Sequence, residues 1–407
     1  MSGTGPAVLA AWLEGRYVGE FVRSEHGEVS FHYAPDAPDA PVSLSLPRDG
    51  SGARRAAGRF LRGLLPDRDG ARVWMQRATG AASTDTFDLL AAVGGDVAGG
   101  LVLLPSGVEP RSVEGEVNPA SEDAIAFRIR TLHDDTDHWY ERSEPARFSL
   151  AGSQPKFALA DVAGDWYWSN AAVPSTHIVK PAARRHPGLD VAEVAAESLA
   201  SDIGIPAPHT RILEVAGERA YLVERFDRER LESGLARRLH AEDLAQALGR
   251  DPDEKYGVSA DQVVRLLRRH DATGGVAADF VRQLAFNTVI GNADAHAKNY
   301  SVLLRPGGIR LAPIYDAVPT RLWDGYDERL AMPIAGRVHP REVTIDHWVK
   351  FARATGLDPE RVVEDVRAVA TAVRERAESA WAALPDAQAE RMRDVVLELT
   401  EKTATTS

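Results

Sequence analysis

The chain has 407 residues, 44% of them hydrophobic and 27% charged, which is long enough for two or three domains with full-sized cores. A formal net charge of −12 disfavours direct binding to nucleic acid or to an anionic membrane. The absence of cysteine excludes disulfides, Cys-ligated zinc, iron–sulfur clusters and thiol nucleophiles. We expect a cytoplasmic protein without a membrane segment, because the N-terminal apolar run, Ala7 to Leu13, is too short to span a bilayer.

Residues 1–105 are predicted to form a β-rich subdomain. Apolar and polar residues alternate over 9–21 around Gly15, which is typical of a hairpin. The other elements predicted here are a strand at 28–33, helices at 53–65, 70–79 and 84–93, and a strand at 101–104. Residues 106–146 are polar, acidic and proline-rich, and we predict that they form a linker.

Residues 147–227 are predicted to form a second β-rich region that contains one helix. Its predicted strands cover 157–162, 166–168, 176–180, 209–215 and 219–226. The helix is predicted over 190–203, with Asp190 and Glu193 forming a capping box at its start.

Residues 228–402 are predicted to form a helical region. Its predicted helices cover 240–248, 259–270, 275–290 and most of 340–402, with a strand–turn–strand at 300–312. The fold class expected from this order is α+β.

The densest polar cluster is the segment Gly291-Asn-Ala-Asp-Ala-His-Ala-Lys-Asn299. Asp294 and Asn299 have the spacing Asp-x-x-x-x-Asn of the protein-kinase catalytic loop, in which the Asp accepts the substrate hydroxyl proton and the Asn binds Mg²⁺. Asp316, after an apolar run, offers a further oxygen ligand for Mg²⁺. A hydrated turn and a transition-metal site at Asp294 and His296 are the alternatives.

Nucleotide-binding features are predicted upstream of this cluster. Lys180 ends a strand ahead of the helix that carries Glu193, as the phosphate-contacting Lys and its Glu partner do in kinases. A solvated Lys180 is the alternative, and Glu197 is a rival to Glu193. The small-residue loop 149–156 precedes a hairpin, where its N–H groups would bind phosphate, although it fits no glycine-rich signature. Segment 223–227 is either a hinge that meets adenine or an ordinary strand end.

A series of motifs resembles the HipA family of serine/threonine-protein kinase toxins from bacterial type II toxin–antitoxin modules. In chain order they are Ser149-Leu-Ala-Gly-Ser-Gln-Pro-Lys, His177-Ile-Val-Lys-Pro, Val223-Glu-Arg-Phe-Asp-Arg, Glu242-Asp-Leu-Ala-Gln-Ala-Leu-Gly, Lys255-Tyr-Gly, Asn292-Ala-Asp-Ala-His-Ala-Lys-Asn and Ile314-Tyr-Asp. Near the N-terminus, Gly63-Leu-Leu-Pro, Phe87-Asp-Leu-Leu and Gly94-Gly-Asp-Val-Ala-Gly are similar to the family's N-subdomain. The resemblance extends over nearly the whole chain, with departures from the commoner family forms at 95–100, Ser153 and Pro155.

The resemblance implies a two-lobed protein-kinase-like fold with an N-terminal β-rich subdomain and an all-helical C-terminal lobe. It implies an ATP- and Mg²⁺-dependent protein kinase with Asp294 as the catalytic residue and Asn299 and Asp316 as Mg²⁺ ligands. It implies that Glu193 forms the structural ion pair with Lys180. The residues assigned to the nucleotide are Ala151, Gly152, Ser153, Gln154, Lys156, Lys180, Glu224, Phe226, His296 and Lys298.

The resemblance also implies regulation and partners. Family members silence themselves by autophosphorylation, which points here to Ser149. They phosphorylate protein serines, aminoacyl-tRNA synthetases among the substrates, and they bind a helix-turn-helix HipB-like antitoxin through which alone this acidic chain would meet DNA. Two rival functions remain, a small-molecule phosphotransferase and a non-catalytic module that sequesters an antitoxin. The presence of Asp294, Asn299 and Asp316 argues against the second.

Overall fold

The computed structural model describes residues 7–110, 117–141 and 148–404, which divide into two compact units. Unit 1 comprises the described residues within Met1–Pro181, Leu213–Asp253 and Val302–Gly307. Unit 2 comprises those within Ala182–Ile212, Glu254–Ser301 and Gly308–Ser407. The chain therefore returns to unit 1 twice after first leaving it, and this regrouping differs from the consecutive regions predicted from the sequence.

The N-terminal part of unit 1 is a four-stranded antiparallel sheet with helices. The sheet has the order β3-β2-β1-β4, with β1 Val8–Leu13, β2 Arg16–Arg23, β3 Val29–Tyr33 and β4 Leu101–Pro105. Between β3 and β4 lie α1 Ala56–Arg62, α2 Asp69–Thr79 and α3 Thr86–Val93. Glu14 and Gly15 have φ of 50° and 74°, the left-handed pair that a two-residue hairpin turn requires. The elements predicted for this region are confirmed.

The segment predicted as a linker contributes to the core of unit 1. It contains β5 Asn118–Pro119 and α4 Glu122–Asp134, and the side chain of Ser121 caps α4 by accepting from the N–H of Ala124. Ile125, Ile129 and Leu132 of α4 are buried in the same hydrophobic cluster as the N-terminal sheet. The linker prediction is therefore wrong for 118–134. Residues 111–116 and 142–147 of the predicted boundary region lie outside the described residues.

A six-stranded sheet in unit 1 carries the predicted nucleotide-binding residues. It has the order β5-β7-β6-β8-β10-β9, with β6 Phe157–Val162, β7 Asp165–Trp168, β8 His177–Pro181, β9 Thr210–Val215 and β10 Glu218–Glu224. All five of these strands were predicted. In the antiparallel pair β8 and β10, Lys180 lies opposite Tyr221 and His177 lies opposite Glu224.

Downstream of β10 the structure departs from the sequence prediction. A hairpin of β11 Arg228–Arg230 and β12 Ala236–Arg238 was not predicted. The predicted helix 240–248 is instead β13 Ala241–Asp243 followed by the single turn α6 Leu244–Ala247. The reason is that Asp243 is the N-cap of α6 and forms a capping box with Gln246, so the helix begins only at Leu244. β13 pairs with β14, Ser301–Arg305.

Unit 2 is largely helical. Its elements are α5 Leu189–Asp202, α7 Ala260–His270, α8 Gly275–Val289, β15 Gly308–Leu311, α9 Ile345–Thr355, α10 Pro359–Ala380 and α11 Asp386–Ala404. The central helix α10 packs against α5, α8, α9 and α11. These helices confirm the predicted ones. None of the helices in the described part of the chain combines the length and apolar character needed to cross a membrane.

The capping box predicted at the start of α5 is wrong. The N-cap is Gly188, whose left-handed φ of 82° turns the chain into the helix before Asp190 is reached. Gly188 has no side chain that could cap this helix end, and Asp190 lies within the first turn, where a carboxylate interacts favourably with the positive end of the helix dipole. Glu193 is therefore not explained by capping.

Candidate active site

The loop between α8 and β14 brings Asp294 and Asn299 together. The N–H of His296 donates to the carbonyl oxygen of Asp294 at 2.7 Å, and the side-chain amide of Asn299 donates to the same oxygen at 2.9 Å. Asn292, His296 and Lys298 are all buried. Because most of its polar side chains are withdrawn from solvent, a hydrated turn does not describe this loop.

Asn292 links the Asp294 segment to the Asp316 segment. Its side-chain oxygen accepts from the N–H of Asp294 at 3.1 Å, and its side-chain amide donates to the carbonyl oxygen of Asp316 at 3.2 Å. The same amide donates to the side chain of Asn287 on α8 at 2.9 Å. With an exposed fraction of only 1%, Asn292 fixes both acidic segments to the helical core. This role was not predicted, because an isolated Asn carries no spacing signal.

Asp316 lies in a backbone conformation that non-glycine residues rarely adopt. Its φ is 52°, and its carbonyl oxygen also accepts from the N–H of Val318 at 3.0 Å. Next to it, the hydroxyl of Tyr315 donates to the carbonyl oxygen of Lys298 at 2.8 Å, which ties this segment to the loop of Asp294. Such conformations occur in tight turns, as at Glu14, and also cluster at active sites.

His296 lies in a mixed electrostatic environment. Burial and the nearby Lys255 ammonium lower the pKa of His296 to about 4, and Asp294 and Asp316 partly offset this. The ring is therefore neutral at neutral pH. Its buried Nδ1 has no hydrogen-bond partner among the described residues, which marks a polar atom available to a ligand.

The described residues show no transition-metal site around Asp294 and His296. No group of three or more His, Cys, Asp or Glu side chains in the described parts of the chain could hold a metal ion. The carboxylate of Asp316 and the amide oxygen of Asn299 are donors of the type that Mg²⁺ uses when phosphate oxygens and water complete its coordination. The donor set therefore fits a nucleotide-bound Mg²⁺ better than a metal held by protein alone.

The carboxylate of Asp294 accepts a hydrogen bond from Tyr256. The Tyr256 hydroxyl lies 2.6 Å from Asp294 Oδ1, and its ring meets the ring of His296 edge-to-face with centroids 5.0 Å apart. Tyr256 belongs to the Lys255-Tyr-Gly motif, but the sequence analysis assigned it no function.

The predicted nucleotide residues of unit 1 lie on β8 and at the end of β10. Lys180 is buried, with Nζ 5.0 Å from the centre of the Tyr221 ring. A solvated Lys180 is thus excluded. The half-buried Glu224 has Oε1 3.8 Å from Nε2 of His177 and 3.7 Å from the guanidinium of Arg230. Phe226 follows, also half-buried.

The loop 149–156 is docked onto the N-terminal part of unit 1. Ser149 is fully buried, and its hydroxyl donates to the carbonyl oxygen of Leu64 at 2.6 Å. The N–H of Asp67 donates to the carbonyl oxygen of Gly152 at 3.0 Å. Lys156 is buried and donates to the carbonyl oxygen of Ala151 at 2.9 Å, while Ser153 is exposed and Gln154 half-buried. The loop is therefore held in place by hydrogen bonds to other parts of the protein and within itself.

A buried ion cluster surrounds the predicted hinge. Its members, all in unit 1, are Asp96, Arg225, Asp227, Arg228 and Arg238. Arg225 binds Asp227 through two hydrogen bonds of 2.9 and 2.7 Å, and Arg228 lies 2.9 Å from Asp96 and 3.1 Å from Asp227. Burial alone would raise the pKa of Asp227, but Arg225 and Arg228 hold it far below its usual range. This ion cluster fixes the end of β10, and the sequence analysis did not identify it.

Glu193 and Glu197, the two candidate partners for Lys180, are both buried on α5 in unit 2. They are one helical turn apart and therefore lie on the same face of the helix. The choice between them stays open.

Comparisons with known proteins agree with the motif order. The HipA N-terminal domain matches residues 9–104, and the HipA-like C-terminal domain matches residues 148–381. A putative kinase, Y4mE, of Sinorhizobium fredii is 35% identical over 366 residues, which cover 86% of each chain. The serine/threonine-protein kinase toxin HipA of Shewanella oneidensis is 29% identical over 374 residues, 84% of each chain.

A solved structure extends the similarity to the fold. It is the Shewanella oneidensis MR-1 toxin–antitoxin complex of HipA, HipB and operator DNA, and the match has a TM-score of 0.83 at 26% identity over 97% of each chain. The α+β, kinase-like fold expected from the sequence is thus confirmed. Since the C-terminal family model alone spans more than half of the chain, the protein belongs to the HipA family of kinase toxins.

Proposed function

We propose that this chain is an ATP- and Mg²⁺-dependent protein serine/threonine kinase and the toxin of a toxin–antitoxin pair. The observation that carries the proposal is the Asn292 side chain, which holds the Asp294 loop and the strained Asp316 segment by hydrogen bonds to both. A hydrated surface loop would not need a buried amide to hold the Asp294 and Asp316 segments in place. Phosphoryl transfer does need carboxylates in fixed positions, because its catalysis consists mainly of positioning and charge stabilisation.

Asp294 is proposed as the catalytic residue. It accepts the proton of the acceptor serine hydroxyl while the oxygen–phosphorus bond forms and the bond to ADP breaks. Asn299 and Asp316 would hold Mg²⁺. When bound, the ion neutralises charge on the phosphate oxygens. The buried side chains of His296 and Lys298 would face the nucleotide phosphates.

In unit 1, Lys180 is proposed to contact the ATP phosphates, and the segment of Glu224 and Phe226 to contact adenine. The loop residues assigned to the nucleotide remain Ala151, Gly152, Ser153, Gln154 and Lys156. Lys156 donates one N–H to the carbonyl oxygen of Ala151, and because its ammonium has three donors, an ATP contact does not require this bond to break. The pairing of Lys180 with Glu193 stays a prediction.

Ser149 is proposed as a self-phosphorylation switch. Its hydroxyl is buried against Leu64, so the loop must leave this position before Ser149 can accept phosphate. A dianionic phosphoserine could not return, because it would lose that hydrogen bond and carry charge into the core. Incubation with Mg²⁺ and ATP followed by peptide mass mapping tests this. We expect phosphate at Ser149, and phosphate at Ser153 alone would contradict the assignment.

The partner proposed is a small helix-turn-helix, HipB-like antitoxin, with DNA reached only through it. The similarity to HipA in a complex with HipB and operator DNA supports this, and so does the net charge of −12, which opposes direct DNA binding. Co-purification with the product of a neighbouring helix-turn-helix gene tests it. Operator binding by this chain alone would contradict it. An aminoacyl-tRNA synthetase remains one expected substrate class.

Transfer of radiolabel from γ-labelled ATP tests the function itself. We expect the label on polypeptide serine or threonine, dependent on Mg²⁺. Label found only on small hydroxylated molecules such as sugars or aminoglycosides would instead show a small-molecule phosphotransferase. A preparation that binds antitoxin and transfers no label to either class would show a non-catalytic module.

A further inference from the structure

Tyr256 makes a contact that the proposed mechanism does not use. Its hydroxyl donates to Asp294 Oδ1 at 2.6 Å, a short bond of the kind formed with an ionised acceptor. Nevertheless 56% of Tyr256 is exposed. An exposed tyrosine is thus bound to the carboxylate proposed as the catalytic group.

The chemistry of this contact matches that of a kinase acceptor. A substrate serine presents one hydroxyl that donates its hydrogen to the catalytic aspartate. Tyr256 presents the same group to the same carboxylate. Its ring packs against the buried His296, and the Lys255 ammonium lies 5.4 Å from the ring centre. These two contacts hold the ring in a defined position. Because the ring is largely exposed, an incoming polypeptide can reach and displace it.

We propose that Tyr256 is a stand-in for the acceptor hydroxyl: it occupies Asp294 in the resting protein, excludes water from it, and gives way to the polypeptide substrate. This inference rests on the proposed function, since it requires Asp294 to be the group that receives the acceptor proton. Under this inference, Tyr256 suppresses hydrolysis of ATP by water and competes with the polypeptide substrate for Asp294.

The test compares initial rates of ATP hydrolysis, with water as acceptor, in the full chain. The variants are Tyr256→Phe, Asp294→Asn and the two combined. Tyr256→Phe keeps the ring on His296 and removes only the donor. Tyr17→Phe is the matched control, because Tyr17 is also exposed and its hydroxyl lies 3.5 Å from a carboxylate oxygen of Glu20.

We expect Tyr256→Phe to hydrolyse ATP at least about tenfold faster than the wild type, as one hydrogen bond to a charged group is removed, with the KM for ATP unchanged. The increase must vanish in the double variant, and Tyr17→Phe must match the wild type. A Tyr256→Phe rate at or below the wild-type rate would overturn the stand-in role and would show a tyrosine that merely orients Asp294. Phosphate found on Tyr256 itself would also overturn it, because the residue would then be an acceptor.

The experiment distinguishes failure of the Tyr256 inference from failure of the proposed function. If turnover in the wild type depends on Asp294 but Tyr256→Phe does not raise it, the kinase proposal survives and this inference fails. If no variant hydrolyses ATP in a manner that depends on Asp294, this inference fails, and the kinase proposal is then decided separately by label transfer to polypeptide. A measurement without turnover checks the contact: the ¹⁹F resonance of 3-fluorotyrosine placed at 256 must differ between the wild type and Asp294→Asn, and identical resonances would refute the contact.

Discussion

At the scale of single residues, burial changes the pKa of an ionisable side chain, as Glu242 shows. Glu242 accepts hydrogen bonds from the Ser43 hydroxyl at 2.6 Å and the Leu44 N–H at 2.8 Å. Burial nevertheless raises the pKa of Glu242 to about 8. In the unfolded chain the carboxyl ionises near its ordinary pKa of 4.5, so the folded state holds the proton over a range in which the unfolded state has lost it. Its contribution to stability is therefore greatest below pH 4.5 and falls as the pH rises towards 8.

We predict that Glu242→Gln is more stable than the wild type at pH 8, by on the order of 3 kcal/mol, because the amide has no proton to lose. Its oxygen can still accept from Leu44. Urea unfolding at pH 5 and pH 8 measures this, with the exposed Glu232→Gln as control. Equal midpoints for the wild type and Glu242→Gln at both pH values would contradict the prediction.

Lys180→Arg tests whether a compact ammonium is needed on β8. The site is buried beside Tyr221, and a guanidinium is a wider planar fork. We expect ATP affinity to fall about tenfold although the charge is kept. Calorimetric titration with Mg²⁺ and ATP measures the affinity, and an unchanged Kd would remove Lys180 from the nucleotide site.

Some residues of the candidate active site could be predicted from the sequence, and others could not. Asp294 and Asn299 are close in the chain with a spacing that carries meaning, and the structure joins them through one carbonyl oxygen. Tyr256 and Asn292 were not assigned, because their contacts with Asp294 and Asp316 depend on folding rather than on spacing. A motif could locate Tyr256 but could not say which atom it binds.

At the scale of elements, the buried ion cluster connects β10, β12 and the turn after α3. Asp96 lies between Arg228 and Arg238 and also accepts from the Ser175 hydroxyl at 2.6 Å. Removal of one buried charge leaves its partners uncompensated. We predict that Asp96→Asn lowers the free energy of unfolding by roughly 3 kcal/mol.

The control for Asp96→Asn is Glu229→Gln, which breaks the exposed pair of Glu229 with Arg237 in the same unit. Its cost should stay below about 1 kcal/mol, since exposed pairs contribute little. Urea unfolding measures both variants. A cost for Asp96→Asn no larger than that of the control would show that the ion cluster does not stabilise unit 1.

Elements with a clear period were predicted well, and their ends less so. The alternating apolar and polar residues of 9–21 form β1 and β2, and the apolar residues Val276, Phe280 and Leu284 are buried on one face of α8. The start of α5 was misplaced because Gly188, rather than an acidic cap, sets the entry. The start of α6 was misplaced because Asp243 caps the helix, so that the preceding residues Ala241–Asp243 pair as a strand instead of joining it. In both cases the residue that caps the helix decides where it begins.

At the scale of the whole molecule, the sequence predicted the kinase-like fold but not its grouping into units. Composition made 106–146 resemble a linker, yet α4 places four apolar residues in the core. Residues 213–253 and 302–307 join unit 1 through contacts distant in sequence, which no local pattern reports. Family membership, by contrast, followed from motif order along the chain.

The central claim is that Asp294 catalyses phosphoryl transfer, and the initial rate of radiolabel transfer from γ-labelled ATP to polypeptide tests it most directly. We predict that Asp294→Asn, folded as judged by urea unfolding, lowers the rate by a factor of about 100 or more. The exposed Asp324→Asn, in the same unit, must transfer at the wild-type rate. Transfer by Asp294→Asn at a rate near that of the wild type would contradict the claim.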